Sequence, residues 1–358
     1  MRKRDFLSKC VLGIGISIVL ILGVVFLRAK MMVAVNETVV AQTEQVMQTM
    51  TDMSEIREAS TLLDPQQVPM AEEMVVEETV PLEEVVPEEF MVEILDQTHL
   101  NSTKELCFNE YQIDDIESFV EALIPFYQLE RVEMCNTNLS DEIMGNLCEL
   151  FPNTKFVWIV HCAGFDVRTD AVAFSTMFTG YGRDPYTEAD FDVLKYCTDL
   201  EALDIGHHSI KDISFIKDLK KLKVLIIAIN RIEDLTPLEG LTDITYLELF
   251  LNSIVDLSPL EKLVNIEHLN LCHNKNLGEI EPILHYPNLQ RLWISYCNLT
   301  GEEIARIREA YPNAQLEFEV YESVEAGWRS TDVYTRMRGV FNNNQMDEMF
   351  LPKVVPVE

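Results

Sequence analysis

Between residues 200 and 288 the same order of apolar side chains returns every 22 residues. Leu222, Leu225, Ile227, Asn230, Ile232, Leu235, Pro237, Leu238 and Leu241 become, one period on, Ile244, Leu247, Leu249, Asn252, Ile254, Leu257, Pro259, Leu260 and Leu263. The frame opens upstream at Leu200, Leu203, Ile205, Ile210, Ile213, Ile216 and Leu219, and continues through Ile266, Leu269, Leu271 and Asn274 before slipping by one residue. A period of this length marks stacked units rather than one closed core. Burying seven or eight apolar side chains yields roughly 10–25 kcal/mol per unit. Ordering the unit's residues costs a comparable amount, at about 1–2 kcal/mol each. No unit stands alone, so neighbours must stack.

Within each unit the spacing of the first three apolar residues predicts a short strand whose leucines enter the stack. The following Asn is placed to bond the backbone of neighbouring turns, and the later Ile, Leu and Pro positions form the return arc. His208 and Cys297 interrupt the Asn series, which bounds the regular array on this reading. Side chains alternate across a strand, so residues between and just after the leucines face the opposite, concave side. There the candidate partner-binding residues are Ile226, Tyr246, Glu248, Phe250, Leu251, His268, Arg291, Trp293 and Tyr296. Adjacent strands lie about 5 Å apart, so this set predicts one apolar and aromatic patch of the composition found in protein-binding hot spots.

Longer units flank the short ones. Residues 138–153 (NLSDEIMGNLCELFPN) and 298–313 (NLTGEEIARIREAYPN) are internal copies, each with a Ser or Thr placed to cap a helix and an aromatic-Pro-Asn stop. Thr103, Leu106, Phe108, Ile113, Ile116 and Phe119 fit a first irregular unit, and Leu129, Val132, Met134 and Leu139 a second. Residues 163–186 form an irregular insertion, followed by a helix starting at Thr187 with Asp190 positioned to close a capping box. Leu316 and Phe318 complete a last strand. Residues 319–358 are expected to cap the end of the stack and trail off, with Trp328, Tyr334, Met337, Val340 and Phe341 as the apolar side of the cap.

The N-terminus has a different character. Cys10 to Leu27 carries no charge, and as a helix would span about 27 Å, close to the bilayer hydrocarbon thickness. Arg2, Lys3, Arg4 and Lys9 precede it and only Arg28 and Lys30 follow, which places residues 1–9 in the cytoplasm and the remainder outside the cell membrane. The basic pair after the run is a poor cleavage site, so a single-pass signal anchor over 10–27 is expected. Residues 28–100 then read as an acidic, disordered stalk, with a possible short helix in 39–63. From Glu58 to Thr103 there are twelve acidic residues and no Lys or Arg, and Pro69, Pro81 and Pro87 interrupt helix formation.

The frame over residues 222–265 resembles the 22-residue class of bacterial leucine-rich repeats, as in the internalin-like surface proteins. Anchor, acidic stalk and mixed repeat lengths together resemble membrane-anchored surface proteins of Gram-positive bacteria. The resemblance implies a horseshoe-shaped α/β solenoid over 101–318, with a parallel concave sheet, a convex side of mixed 3₁₀ and α-helix, and a protein or peptide partner on the concave face. One departure concerns anchoring: Leu351-Pro352-Lys353 does not continue into a sorting motif, which leaves anchoring to residues 10–27.

Chemistry is sparse. The chain contains no phosphate-binding loop, HExxH, GxSxG or CxxC pattern, so no catalysis, cofactor or metal is expected. His207 with His208, and His268 with Cys272 and His273, match no zinc spacing. After residue 30 there remain 22 Lys and Arg against 59 Asp and Glu, a balance that repels nucleic acid. Cys148 and Cys197 sit at core spacing, whereas Cys107, Cys135 and Cys272 are expected to be accessible thiols. Two other readings stay open: an envelope scaffold without a dedicated ligand, and an enzyme with a site in the insertion around Arg168, Asp170 and Arg183.

Overall fold

The computed structural model describes residues 87–176 and 186–343. The basic tail, the 10–27 run, the possible 39–63 helix, the stalk as far as residue 86 and the tail from 344 lie outside them. Among the described residues no helix is long and apolar enough to cross a membrane. These residues form two units, 87–103 with 114–128, and 104–113 with 129–343.

In the first unit β1 (Met91–Ile94) pairs antiparallel with β2 (Gln97–Leu100). Val92 and Ile94 are buried while Met91 and Glu93 are exposed, the alternation of a strand covered on one side. The stalk expected to reach residue 100 therefore gives way to a hairpin by residue 91. Helix α1 (Ile116–Leu123) follows, with Asp115 Oδ1 accepting from Ser118 N at its start.

The second unit begins with a parallel three-stranded sheet of β3 (Glu105–Cys107), β4 (Arg131–Glu133) and β5 (Lys155–Val157). Helix α2 (Asp141–Leu150) joins β4 to β5, capped as expected by Ser140. Strand β6 (Ile159–Cys162) pairs antiparallel with β7 (Phe165–Arg168), the first strand of the insertion. The insertion then opens the main sheet with β8 (Ala173–Ser175). Helix α3 (Glu188–Phe191) starts where Asp190 Oδ2 accepts from the Thr187 backbone and hydroxyl.

The main sheet is parallel and seven-stranded, its strands adjacent in chain order: β8, β9 (Ala202–Asp204), β10 (Val224–Ile226), β11 (Tyr246–Glu248), β12 (His268–Asn270), β13 (Arg291–Trp293) and β14 (Gln315–Glu317). Its register follows the period. Leu203 stands beside Leu225, then Leu247, Leu269, Leu292 and Leu316. Returns run through 3₁₀ turns at Ser214–Ile216, Thr236–Leu238, Ser258–Leu260 and Glu281–Ile283. Pro237, Pro259 and Pro282 sit at their starts, where a missing N–H costs nothing. Helix α4 (Gly301–Ala310), capped by Thr300, replaces the turn before β14.

The asparagines bond the stack together. Asn252 Oδ1 accepts from Ile232 N at 3.1 Å, while its Nδ2 donates to Ile227 O and Leu249 O, both at 3.0 Å. Asn230 and Asn274 repeat the arrangement one unit either side. Cys297, read as the end of this series, instead extends it by donating from Sγ to Leu271 O at 3.1 Å. Asn252→Leu strands one amide and two carbonyls inside the stack, so chemical denaturation is expected to register a loss of about 1–3 kcal/mol. An unchanged midpoint would show the ladder to be dispensable.

Helix α5 (Asp332–Asn343) and the segment before it do not lie where the sequence places a cap. Rather than covering the end of the stack, Trp328, Tyr334, Met337, Val340 and Phe341 pack on the sheet face opposite the leucines. They cluster there with Ala202, Val224, Ile226, Tyr246, Phe250 and Trp293. Residues 323–341 act as a strap across the strands.

Candidate functional site

The strap chooses this face because the strands offer it both apolar area and unmatched charge. Ile226, Ala228, Tyr246 and Trp293 alternate with the leucines, and the Trp328 ring closes over them at full burial. Its centroid lies 5.7 Å from Tyr246 and 5.4 Å from Trp293. The Arg291 guanidinium carbon stands 4.1 Å from the same ring, and Arg291 Nη2 donates to Trp328 O at 3.0 Å.

Two ion pairs join strap to sheet. Arg329 Nη2 meets Glu248 Oε2 at 2.6 Å, and Arg338 Nη1 meets Asp204 Oδ2 at 3.1 Å. Glu248, wholly buried, also accepts from Tyr246 OH at 2.6 Å. Burial pulls the Arg329 pKa down, but Glu248 beside it more than offsets this and the net shift is upward. Burial pushes the Asp204 carboxyl up, against the pull of Arg329 and Arg338. His268 falls to about 4, first through burial and then through Arg291, so it is neutral at pH 7. At the strap's entry Asn270 Nδ2 donates to Ser323 Oγ at 3.3 Å, and the His273 ring bonds Tyr321 O at 2.6 Å.

The candidate residues therefore divide. Ile226, Tyr246, Glu248, Phe250, His268, Arg291 and Trp293 are buried beneath the strap rather than open to solvent, which corrects the expectation of one exposed patch. Leu251 and Tyr296 remain exposed, at 44% and 48%.

Those two belong to a column at the sheet edge that strand alternation alone does not reveal. His207, Ile229, Leu251, His273 and Tyr296 occupy equivalent positions just past their strands, and each has a positive φ, between 55° and 65°. Left-handed backbone costs a residue with Cβ about 1–2 kcal/mol. The N–H of each of the first four is held by the next repeat: His207 by Ala228 O, Ile229 by Phe250 O, Leu251 by Cys272 O and His273 by Ser295 O. His273 stacks on Tyr296 at 4.8 Å with ring planes 2° apart, and Tyr321 meets both edge-on.

The insertion residues make a different arrangement. Asp170 accepts from Arg131 and from Arg168, and Glu133 accepts from the same two side chains. Burial raises the Asp170 carboxyl, but bonds from Arg168 and Arg131 outweigh it and bring the pKa to about 2. A carboxylate so saturated is a poor proton acceptor, and Arg183 lies outside the described residues. A cleft of about 740 Å³ between α2, β5 and the turn at Asp192–Tyr196 is lined by Cys148, Trp158, Lys195 and Tyr196. Its two lysines are occupied, Lys195 by Asp192 and Lys155 by Asp199.

Among the described residues no group of three or more His, Cys, Asp or Glu side chains is placed to hold a metal ion. His208 bonds Thr176 Oγ1 at 2.8 Å. The seven cysteines from Cys107 to Cys297 are free thiols, and Cys107 is exposed as expected. Cys135 and Cys272 are buried, contrary to expectation, because their repeat positions face covered surfaces.

No protein-family model matches the chain, and no curated protein matches it. Among solved structures it is similar to an internalin C2 from Listeria monocytogenes strain 4b F2365, at 19% identity, covering 56% of this chain and 74% of that one with a TM-score of 0.33. An internalin InlF of the same strain is also 19% identical, covering 61% and 68%, with a TM-score of 0.34. The functional domain of InlJ from Listeria monocytogenes is 14% identical, covering 62% and 55%, with a TM-score of 0.33. The repeat assignment for this chain rests on its own period, strand register and asparagine ladder.

Proposed function

We propose that this chain is a membrane-anchored, extracytoplasmic leucine-rich-repeat protein that holds a protein or peptide partner and performs no catalysis. The anchor is the uncharged 10–27 run with its basic flank, and the main sheet is taken as the concave wall of a horseshoe. Partner binding is supported above all by the exposed Leu251 and Tyr296 of the column and the adjoining Tyr321, at 65% exposure, with half-buried His273 stacked between the two tyrosines and the sheet edge. Aromatic and apolar side chains held rigidly in solvent are the raw material of a binding hot spot. Here the stacked rings and repeat-anchored left-handed backbone fix their directions before any partner arrives, which lowers the ordering cost of association. A formal charge of −32 directs the choice toward neutral or basic partners.

Proximity labelling with the full chain in intact cells tests this reading. The triple variant Leu251→Ala, Tyr296→Ala, Tyr321→Ala is expected to lose the proteins that wild type captures. Each side chain is substantially exposed, so stability should shift only by about 0.5 kcal/mol per site. Undiminished capture by a folded triple variant would move the site away from this column.

A further inference from the structure

The seam between β12–β13 and the strap has more buried donors than acceptors. Nε and Nη1 of Arg291, Nε1 of Trp293, Nε1 of Trp328 and Nδ1 of His268 are all buried without a hydrogen-bond partner. Four of these five positions are N–H groups that can only donate. They belong to side chains in mutual contact: the Arg291 guanidinium lies 4.1 Å from one indole and 5.5 Å from the other, and His268 is its register neighbour on β12.

Ion pairing is uneven at the same place. Among the described residues Arg329 and Arg338 each form an ion pair with a sheet carboxylate, and Arg291 forms none. Glu248 pairs with Arg329 and Asp204 with Arg338. Arg291, 6% exposed, donates to the neutral carbonyl of Trp328 and lies over both indole rings, with Glu248 acting on it only from beyond ion-pair distance. A buried unit charge without a directly paired counter-charge is costly for a protein interior.

We propose that this seam is a binding site for a small monovalent carboxylate of formate or acetate size, held by Arg291 and the indole N–H groups of Trp293 and Trp328. One negative charge there gives Arg291 the direct partner that Arg329 and Arg338 already have. The planar oxyanion is favoured over a spherical halide by the guanidinium itself. Nη2 carries two hydrogens and the Trp328 carbonyl uses one, so one fork, shared with either Nε or Nη1, keeps both of its N–H groups for a two-point bond. Because Trp328 is fully buried, the site admits a free anion and not a polypeptide side chain. The bound anion joins sheet to strap, so its occupancy holds the strap closed. This inference does not depend on the partner-binding reading above.

The test is thermal melting of the full-length protein, with tryptophan fluorescence, as sodium acetate replaces sodium gluconate at constant ionic strength. Gluconate is a carboxylate too bulky for the seam, and a parallel series adds an end-blocked Gly-Glu-Gly peptide. Wild type is expected to show a melting temperature and emission maximum that change with acetate and then saturate, with no response to the peptide. Arg291→Lys keeps the charge but loses the fork, so its half-saturation should rise about tenfold or more. Arg291→Met should show no acetate dependence. A flat wild-type titration, with Arg291→Met melting above wild type in every buffer, would mean that the seam holds water only and would overturn the proposal. A response to the peptide but not to acetate overturns it as well, by assigning the seam to another chain's carboxylate. If Arg291→Met fails to fold, the wild-type and Lys titrations still decide.

Discussion

Glu248→Gln is expected to release the strap. The wild-type carboxylate is completely buried and receives Arg329 through both Nε and Nη2, together with the Tyr246 hydroxyl. Gln fills the same volume and still bonds the hydroxyl, but it removes the buried carboxylate that meets Arg329 directly. Breaking a buried pair from one side costs about 3–5 kcal/mol. The chain can avoid that penalty by letting the strap open so that Arg329 returns to water, so the loss appears first as local opening. Hydrogen exchange of the α5 amides should accelerate by roughly two to three orders of magnitude, while the amides of β10–β12 hold their protection. The double replacement Glu248→Leu, Arg329→Met should restore much of the protection, because a matched apolar pair removes both charges together. Unchanged exchange in Glu248→Gln would show that the pair does not hold the strap.

Trp328→Ala should act at the other end of the same device. The indole is the largest fully buried side chain in the described fold, and it touches Tyr246, Trp293 and Arg291 at once. Its truncation removes about 3–5 kcal/mol of packing, and the sheet beneath cannot collapse into the gap because the next repeat fixes each strand. Trypsin should then cut at Arg329, Arg336 and Arg338, sites protected in wild type, and leave a resistant array ending before the strap. Should the whole second unit be digested instead, the strap is an integral layer of the fold and not a cover.

The array was legible because its signal repeats. Leu203, Leu225, Leu247 and Leu269 differ only by the period, so each copy confirms the others. The exposed members of the candidate site, Leu251 and Tyr296, came from the same counting. The strap was not legible, for two physical reasons. Val224 to Ile229 is an unbroken apolar run, which marks a strand covered on both faces as readily as one awaiting a partner. The charges that identify the cover, Arg329 and Arg338, are separated by 81 and 134 residues from Glu248 and Asp204, with no period linking them. At Cys297 the pattern misled in another way, since a thiol can donate to a carbonyl where an amide usually does.

The strap is also a matter of timing. Its contacts are among the most distant in sequence in the chain, while every strand of the array meets one a single repeat away. Local stacking therefore precedes strap closure in folding. Synthesis enforces the same order, because residue 317 ends β14 and the strap's last buried residue comes 24 positions later. At ordinary elongation speed that interval lasts on the order of 1–5 s. For those seconds each newborn molecule displays Tyr246, Trp293 and Arg291 on a finished sheet with nothing above them, and whatever meets the chain at that moment, a chaperone or a neighbouring copy, reaches the face before its own C-terminus does.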